Sequence, residues 1–564
     1  MDYKQQIAET IYSVLNEHLT LEDIYLLLEK PKHAEHGDVA FPAFQLAKVF
    51  RKNPAHIAQE LAEDISSPLI SKKQVVGPYI NFFLNKESVS QGVLSEVVAE
   101  KGNYGHLSIG NGGNVPIDMS SPNIAKPMSM GHLRSTVIGN ALSHILEKVD
   151  FKPIRINHLG DWGTQFGKLI TAYKKWGNEE AVRAEPIKEL LALYVKFHEV
   201  AENDPTLEDD GRLWFKKLED GNEEAVELWK WFREESLKEF KKVYDRLNIS
   251  FDSLSGEAFY NDKMDQVVDL LNEKELLTMD RGAYIVDLEK YDLNPALIKK
   301  SDGATLYMTR DLAAALYRKK NYDFAQSLYV VGQEQSNHFK QLIAVLKELG
   351  LDWSDDVHHI PFGLITKDGK KLSTRKGKVV LLEDVLNEAS AQALKQIEDK
   401  NPNLPDKERV AEQVGVGAVV FHDLKNDRLN NFDFTIEEVV QFEGETGPYV
   451  QYTRARAMSI LNKAGVTTVE SANSLALTDD YSWEVVKLLH DYPHTIRRAY
   501  ENFEPSIIAK HAITLAQAFN RFYANVRVLD AHPEKEARLA LVSAVTDILK
   551  EDLRILGVES PDEM

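Results

Sequence analysis

The sequence predicts an α/β protein with a parallel β-sheet at its centre, an α+β region before the sheet and an all-α region after it. Strand and helix patterns alternate from residue 115 onward, as they do where helices cross over between parallel strands. A charged, mostly helical stretch from about 175 to 290 interrupts this alternation and is interpreted as an insertion. From about 380 to the end, apolar residues recur at the spacing of an α-helix.

Several domains are expected because 564 residues exceed what one hydrophobic core usually serves. The first region starts with helical patterns and ends in a strand-like run with a Gly-Pro turn, VVGPYINFFL at 75–84. The glycine- and asparagine-rich segment 110–115 is interpreted as a linker. The expected domains are an N-terminal domain at 1–108, a sheet domain at 109–380, a helical connector at 381–440 and a helical C-terminal domain at 441–564.

Within the sheet domain, short runs rich in β-branched residues indicate strands, and longer periodic runs indicate helices. One helix is expected over 131–146. A second is expected to begin near Tyr307, with Thr309 as a possible cap. The expected strands are VPIDMS at 115–120, KPIRINHLG with its turn at 152–160, SLYVVGQ at 327–333 and HHIPFGLI at 358–365.

The composition excludes some classes of site and leaves others open. The chain has no cysteine, which excludes disulfides, thiolate zinc sites and iron–sulfur clusters. The N-terminus carries acids and no apolar run reaches membrane-spanning length, so a cytoplasmic protein is expected. A formal net charge of −21 disfavours nucleic-acid binding, but acids concentrate between Glu199 and Glu227 and bases between Lys367 and Lys378. Both an RNA-binding protein and one that never meets RNA fit these facts.

The segment DMSSPNIAKPMSMGHLRST, from Asp118 to Thr136, joins the first strand of the sheet to its helix. Open α/β sheets bind ligands at the carboxyl ends of their strands, and the free N–H groups of a helix start favour phosphate. Gly131 allows close approach of the backbone, and His132 can donate to a phosphate oxygen. The alternative is an ordinary glycine turn with a histidine in the first helical turn.

Four further segments carry polar groups just past predicted strands or at a helix start. KKLSTRKG at 370–377 suits a loop that closes over polyphosphate, or else a solvated basic loop. Tyr307 and Asp311 are four residues apart and share a helix face, although an acid there also complements the helix dipole. VGQEQSNHF, which contains Gln335, and NHLGDWGTQFGK at 157–168 could reach a ligand or be ordinary polar loops.

Taken together, these segments resemble the class I aminoacyl-tRNA synthetases, and the arginyl-tRNA synthetase family in particular. SSPNIAKPMSMGHLRST resembles the family's form of the HIGH signature, and KLSTRKG stands where its KMSKS loop belongs. NHLGDWGTQFG, LYMTRDLAA and VGQEQSNHF are similar to family segments in the same order. GPYINFFL and ETGPYVQYTRARA (445–457) extend the similarity over nearly the whole chain.

The resemblance implies a Rossmann-type catalytic core, an N-terminal domain that touches the elbow of tRNA and an all-α anticodon-binding domain. It implies activation of L-arginine by ATP with Mg²⁺, through arginyl-adenylate, and transfer to the 3′ end of tRNA(Arg). The expected partners are therefore L-arginine, ATP and tRNA(Arg), with no membrane, and the enzyme is expected to be a monomer.

The resemblance also assigns roles to individual residues. Carboxylates suit the substrate because a guanidinium is planar and always charged. The expected arginine-binding residues are Asp118, Asn123, Tyr307, Asp311 and Gln335. The expected ATP-binding residues are Gly131, His132, Lys371, Arg375 and Lys376. The expected catalytic residues are His132, Lys126, Lys371, Ser373 and Ser129.

Contacts with tRNA are expected from aromatic and basic side chains that stack on splayed bases or pair with them. Helix packing is the alternative for the two tyrosines, and a satisfied turn residue is the alternative for the asparagine. The expected tRNA-binding residues are Asn81, Tyr449, Tyr452, Arg454 and Arg456.

Two positions depart from the family's pattern. Ser129 stands at the first histidine of the HIGH signature, and Thr374 stands at the second lysine of the KMSKS loop. Arg375, Lys376 or Lys126 could supply the missing charge, and Lys126 is favoured because it precedes the signature in the same loop. The rival functions are another class I synthetase or nucleotidyltransferase, and an inactive RNA-binding or regulatory relative.

Overall fold

The computed structural model describes residues 2–15, 18–304, 306–372, 374–375, 378–466, 469 and 474–564, with the backbone alone at 374, 375 and 378. Contacts divide the chain into two compact units. The first unit holds residues 1–104, 456–492 and 515–549, and the second holds residues 105–455, 493–514 and 550–564. Each unit therefore combines segments that are distant in the sequence.

The N-terminal region combines helices with a small antiparallel sheet. Its elements are α1 (Tyr3–Leu15), α2 (Leu21–Leu27), β1 (Val39–Pro42), α3 (Ala47–Phe50), α4 (Pro54–Asp64), β2 (Ile70–Val76), β3 (Tyr79–Leu84) and α5 (Lys86–Glu100). The sheet order is β1-β3-β2. The predicted Gly-Pro turn is confirmed, because Gly77 adopts φ 57° in the turn between β2 and β3. Asn53 caps α4 by accepting the Ala55 N–H, with Pro54 in the first helical position.

The central region contains the predicted parallel sheet and its helical insertion. Its elements are β4 (Asn114–Asp118), α6 (Leu133–Lys148), β5 (Lys152–Ile156), α7 (Gln165–Trp176), α8 (Glu179–Ala184), α9 (Pro186–Ala201), α10 (Thr206–Glu219), α11 (Glu223–Arg246), α12 (Met264–Glu273), β6 (Leu277–Asp280), β7 (Ala283–Val286), β8 (Ala296–Lys300), α13 (Tyr307–Tyr322), β9 (Ser327–Val330), α14 (Ser336–Glu348), β10 (Val357–Ile360), β11 (Ile365–Lys367), β12 (Lys370–Lys371), β13 (Thr374–Arg375) and β14 (Lys378–Val379). Four strands pair in parallel in the order β10-β9-β4-β5. The parallel sheet is therefore confirmed, with β4 in its interior.

Two local predictions in this region are wrong, and one small sheet was not predicted. HHIPFGLI is two strands rather than one, since Pro361 offers no N–H to the ladder and the chain resumes as β11 in a different sheet. The sheet that was not predicted is antiparallel; its strands β6 and β7 lie at the end of the mostly helical insertion, and β8 follows it. Thr309 does not cap α13, because its hydroxyl donates to the Ile298 carbonyl instead.

The C-terminal region is helical, as predicted, apart from one short strand. Its elements are α15 (Leu382–Lys400), α16 (Lys407–Leu424), β15 (Phe432–Asp433), α17 (Ile436–Val439), α18 (Gly447–Lys463), α19 (Asp480–His490), α20 (Tyr492–Glu501), α21 (Ser506–Asn525) and α22 (Lys535–Ile555). β15 pairs in parallel with β11. Among the helices that the structure describes, none has both the length and the apolar content needed to cross a membrane.

Candidate active site

The loop that follows β4 has its shape fixed by its backbone and by neighbouring segments. Ser120, Ser121 and Ala125 have φ values of 71°, 53° and 63°, a left-handed conformation that costs residues other than glycine on the order of 1–3 kcal/mol each. The Ser121 N–H donates to Asn157 Oδ1 at 3.1 Å, and the Ala125 N–H donates to Ser236 Oγ of α11 at 3.1 Å. The insertion therefore helps to hold this loop in place.

Ser129 begins a tight turn that orients His132. The Ser129 hydroxyl accepts the Gly131 N–H at 3.2 Å, and the Ser129 N–H donates to His132 Nδ1 at 3.0 Å. Because Nδ1 accepts this bond, the neutral ring carries its proton on Nε2. Burial lowers the pKa of His132, which keeps the ring neutral near pH 7. The turn thus leaves Nε2–H as the donor of a neutral imidazole beside Gly131.

A cavity of about 110 Å³ brings three of the predicted segments together. Its lining includes Gly131 from the histidine turn, Glu334 from the VGQEQ segment and Lys371 from the basic segment. Lys371 is exposed on β12, which pairs with β11 in an antiparallel hairpin. The predicted ATP-binding residues Gly131 and Lys371 therefore share one cavity.

The other predicted site residues of the basic segment are Ser373, Arg375 and Lys376. Ser373 and Lys376 lie outside the described residues. Arg375 is described by its backbone alone, which pairs with Lys378. Their predicted roles in ATP binding and catalysis therefore stay predictions.

Arg134 joins the start of α6 to the loops that line the same cavity. Its side chain is 2% exposed and forms an ion pair with Asp423 of α16 at 3.3 Å. Its Nη1 donates to the carbonyls of Gly363, Arg428 and Asn430 at 3.2, 3.1 and 3.0 Å. A buried guanidinium with four bonds to three segments holds the histidine turn at a fixed position relative to the cavity wall.

Asp118, at the end of β4, is bound to an arginine of the chain itself. Its Oδ2 accepts a bond from Arg318 Nη2 at 2.9 Å, and its Oδ1 accepts the Ser121 hydroxyl at 3.2 Å. The Arg318 side chain is 1% exposed and lies over the Tyr329 ring at 5.4 Å. The Asp118 carboxylate is therefore occupied by an internal guanidinium, and this geometry does not favour the predicted direct contact with free arginine.

Asp311 lies near the same buried tyrosine. Burial raises the pKa of the Tyr329 hydroxyl, and the charges of Asp118 and Asp311, which lie on different elements, add to that shift. The Asp311 carboxylate binds His338 Nε2, from the VGQEQSNHF segment. Two further predicted arginine-site residues are exposed: Tyr307, the first residue of α13, and Gln335, just before α14.

Asn123 and Lys126 are exposed in the loop after β4. Asn123 forms a parallel bridge with Gly160 of the NHLG segment. A Cβ atom at Gly160 would come within 1.9 Å of Asn123 Oδ1, so a larger residue there would displace the asparagine. Lys126 Nζ lies 5.8 Å from the centroid of the Tyr194 ring on α9.

Glu257 was not among the predicted site residues, yet its surroundings shift its pKa strongly. Burial raises its pKa to about 7; the charges of Asp161 and Asp311 add to the shift, and Arg310 opposes it. A half-buried carboxyl with a shifted pKa among other acids is a candidate ligand for a cation. One signal was available in the sequence: Glu257 is the only charged residue in the run SLSGEAFY at 253–260.

In the first unit, two of the predicted tRNA-binding residues have different environments. Arg456 donates to Asn520 Oδ1 at 2.8 Å and lies 5.0 Å from the Tyr523 ring, which is 44% exposed. This pair offers a charged group and an aromatic face together. Asn81 is 4% exposed in β3, the middle strand of its sheet, so its side chain is not on an open surface.

In the second unit, Arg454 is 4% exposed and holds the C-terminal segment. Its Nη1 donates to the Ser560 carbonyl at 3.1 Å and to Asp562 Oδ1 at 2.8 Å. Tyr452 packs against Phe442 with ring centroids 6.1 Å apart. Tyr449 is half-buried on the same helix, α18. The structure thus gives Arg454 a packing role, because its guanidinium is already surrounded by protein acceptors.

Comparison with known proteins identifies the family. The model of class I (R) tRNA synthetase catalytic domains matches residues 93–436, the arginyl-tRNA synthetase N-terminal domain model matches 1–84, and the DALR anticodon binding domain model matches 450–564. An arginine–tRNA ligase of Enterococcus faecalis is 69% identical over 564 residues, and one of Ligilactobacillus salivarius is 65% identical, each with both chains fully covered. The solved arginyl-tRNA synthetase of Thermus thermophilus matches with a TM-score of 0.82 at 25% identity, over the whole of both chains. With the parallel sheet and the shared cavity, these similarities show that the chain belongs to the class I arginyl-tRNA synthetases, the arginine–tRNA ligases.

Proposed function

We propose that the enzyme forms arginyl-adenylate beside the cavity that Gly131 and Lys371 line. That cavity carries the proposal, because it joins a helix start suited to phosphate with a lysine from a separate loop. The carboxylate of arginine attacks the α-phosphate of ATP, and pyrophosphate leaves. The Nε2–H of His132 and the ammonium group of Lys371 stabilise the charge that develops on the phosphate oxygens.

Glu257 and Asp311 are the proposed partners of the substrate guanidinium. A guanidinium presents five donors in a plane, so it needs several acceptors held in place. Asp118 contributes indirectly, since its carboxylate holds the Arg318 guanidinium over the Tyr329 ring. Lysine would leave some acceptors unpaired, at about 1–3 kcal/mol each, which supports discrimination at this site. Asn123, Tyr307 and Gln335 complete the proposed arginine site.

Lys126, which precedes the histidine turn, and Ser129, which begins it, have distinct proposed roles. Lys126 is exposed in the loop and is proposed to supply the charge that Thr374 lacks in the KMSKS position. Ser129 is proposed to orient His132, because both its hydroxyl and its N–H are engaged within the turn. Ser373, Arg375 and Lys376 are proposed to contact the phosphates of ATP.

Magnesium is proposed to arrive with ATP rather than to occupy a site built by the chain. Within the part of the chain that the structure describes, no three His, Asp or Glu side chains are grouped to hold a metal. Mg²⁺ commonly keeps waters and binds to substrate phosphates with only one or two carboxylates. Mg²⁺ would therefore be held mainly by the phosphates of ATP and by water.

The tRNA contacts are proposed from exposed or half-buried side chains in the C-terminal region. Arg456 and Tyr523 are proposed to stack on anticodon bases, with Tyr449 and Tyr452 as further contacts. Arg454 is not proposed as a contact with tRNA, because it is buried against the C-terminal segment. The elbow of tRNA is assigned to residues 1–108. The enzyme is proposed to work as a monomer in the cytoplasm.

Exchange of labelled pyrophosphate into ATP tests the proposed reaction, and it is run with and without tRNA. We expect exchange that depends on arginine, and little with lysine or with citrulline, whose side chain is neutral. Exchange driven by a different amino acid, or no exchange under either condition, would contradict the assignment.

Arginine affinity is expected to fall as the pH drops through about 7. Burial raises the pKa of Glu257 to about 7, so the carboxyl gains a proton below that pH and loses its attraction for a guanidinium. The KM for arginine, measured on both sides of this value, should therefore rise toward low pH. In a Glu257→Gln variant the KM should be high throughout and lose this dependence. A wild-type KM that stays constant would refute the role of Glu257.

A further inference from the structure

Helix α11 carries a buried tyrosine whose hydroxyl reaches the loop after β4. Tyr244 is 5% exposed, and its ring meets the Phe251 ring edge to face at 4.8 Å. Its hydroxyl lies 2.6 Å from Ser120 Oγ and accepts the side-chain N–H of Asn157 at 3.0 Å. A phenylalanine would keep the ring contact, so packing against Phe251 does not explain why the residue carries a hydroxyl.

The contacts continue from Ser120 to the histidine turn. Ser120 Oγ lies 2.8 Å from Thr136 Oγ1, which lies 2.7 Å from the carbonyl oxygen of His132. We call the hydroxyl groups of Tyr244, Ser120 and Thr136 the hydroxyl chain. The residues that carry it are at most 5% exposed, so bulk water does not replace a bond that is lost from it.

The two ends of the hydroxyl chain have donor roles that their chemistry fixes. Thr136 donates to the His132 carbonyl, because a carbonyl oxygen can only accept. Tyr244 already accepts the Asn157 N–H, which leaves its own proton for Ser120. Burial raises the pKa of Tyr244 to about 12, so its hydroxyl keeps this proton near pH 7. Removal of the Tyr244 hydroxyl would therefore take one buried hydrogen bond from Ser120.

Ser120 depends on its neighbours because its backbone is unfavourable, with φ at 71°. Such a conformation persists only where the surrounding structure holds it from several sides. On the α6 side, the Ser120 N–H donates to Ser135 Oγ at 2.9 Å, and Ser135 Oγ donates to the Val330 carbonyl of β9 at 2.7 Å. On the α11 side, the bond to Tyr244 holds its hydroxyl. Loss of that bond frees Ser120 to move relative to the start of α6.

We propose that Tyr244 is a positioning residue for adenylate formation, whose hydroxyl acts through Ser120 and Thr136 to hold His132 in place. Tyr244 is buried and acts only through these two residues. The His132 carbonyl that receives the chain belongs to the turn that aims its Nε2–H. A displacement of about 1 Å at a reacting centre can cost roughly 100-fold in rate. This inference rests on the proposed function, since it requires His132 to stabilise the phosphate charge.

Two variants test the hydroxyl chain, and each removes one hydroxyl with little change in side-chain shape. Tyr244→Phe and Thr136→Val are each expected to slow pyrophosphate exchange by roughly 10- to 100-fold at saturating ATP, arginine and tRNA. The KM for arginine should not change, because the chain does not contact the proposed guanidinium site. Thr136→Ser restores a hydroxyl and should restore most of the rate. If one variant fails to fold, the other still tests the proposal.

Two hydroxyls outside the chain provide matched controls. Tyr291→Phe removes a hydroxyl that donates to Glu348 at 2.7 Å. Thr171→Val removes one that donates to the Gly167 carbonyl of the same helix, α7, at 2.8 Å. Both controls should exchange pyrophosphate at the wild-type rate. Their thermal unfolding shows how far the loss of one hydroxyl lowers stability without affecting catalysis.

The decisive measurement combines Tyr244→Phe with His132→Asn. In the wild-type background His132→Asn is expected to cost about 100- to 1,000-fold in rate. In the Tyr244→Phe background it should cost only about tenfold, because the donor that it removes is already misplaced. A variant that merely contained less folded enzyme would show the same His132→Asn factor as wild type, and that result would overturn the proposal.

Wild-type exchange rates in both Tyr244→Phe and Thr136→Val would overturn it as well. Failure of the proposed function gives different results. In that case wild-type enzyme would not exchange pyrophosphate with arginine, or His132→Asn alone would exchange at the wild-type rate. Either result would remove the role of His132, and the role of Tyr244 with it.

Discussion

Replacing His132 by asparagine is expected to slow adenylate formation by about 100- to 1,000-fold while changing the KM for arginine little. The amide oxygen of asparagine takes the place of Nδ1 and can still accept the Ser129 N–H. It offers no donor where Nε2–H lies, so the developing phosphate charge loses one hydrogen bond. Glutamine reaches the Nε2 position, and His132→Gln should keep more activity. Single-turnover formation of labelled adenylate measures both variants.

Ser129→Ala is the matched control for this pair. It removes the hydroxyl that accepts the Gly131 N–H but leaves the backbone donor to His132. Its rate should fall by no more than about tenfold, the usual scale of one neutral hydrogen bond. If His132→Asn and His132→Gln were equally slow, the missing Nε2 donor would not be the cause. A wild-type rate in His132→Asn would remove the histidine from the mechanism.

Asp311→Asn is expected to lower kcat/KM for arginine on the order of 100- to 1,000-fold, because truncating one partner of a desolvated charge pair costs about 2–5 kcal/mol. Asparagine keeps the size of the side chain and its oxygen can still bind His338. Only the negative charge is lost. The variant should therefore also lose its preference for arginine over citrulline, as measured by pyrophosphate exchange at several concentrations of each.

Asp323→Asn provides the control for charge on the same helix. Asp323 follows the end of α13, and its side chain is 96% exposed. Asparagine tolerates the left-handed backbone found there, where φ is 44°. The kcat/KM of the Asp323→Asn variant for arginine should match that of the wild-type enzyme. A citrulline-to-arginine ratio in Asp311→Asn that equals the wild-type ratio would exclude Asp311 as a ligand of the guanidinium.

Two of the segments that line the cavity were singled out from the sequence because they follow local rules. A glycine and a histidine after a strand indicate a phosphate turn, and a basic run after another strand indicates a closing loop. The alternation of strands and helices also predicted the parallel sheet correctly. These signals depend on residues close together in the chain, so one sequence is enough to find them.

The partners of individual side chains were not predictable in the same way. Asp118 was assigned to the substrate, but Arg318, 200 positions later, binds it. Glu257 was missed because its shifted pKa arises from burial, which periodicity does not reveal. Arg454 was assigned to RNA, whereas the C-terminal segment covers it. In each case the decisive neighbour is distant in sequence and comes close only when the chain folds.

The left-handed backbone at Ser120, Ser121 and Ala125 has a consequence for how the enzyme meets its nucleotide. Hydrogen bonds from this loop to α11 and to the NHLG segment hold this unfavourable conformation in place. The loop therefore needs no further ordering when ATP binds, so the affinity of the enzyme for ATP is not reduced by the entropy of arranging that loop. The left-handed backbone lowers the free energy of unfolding, and in return the loop has its final shape before ATP binds.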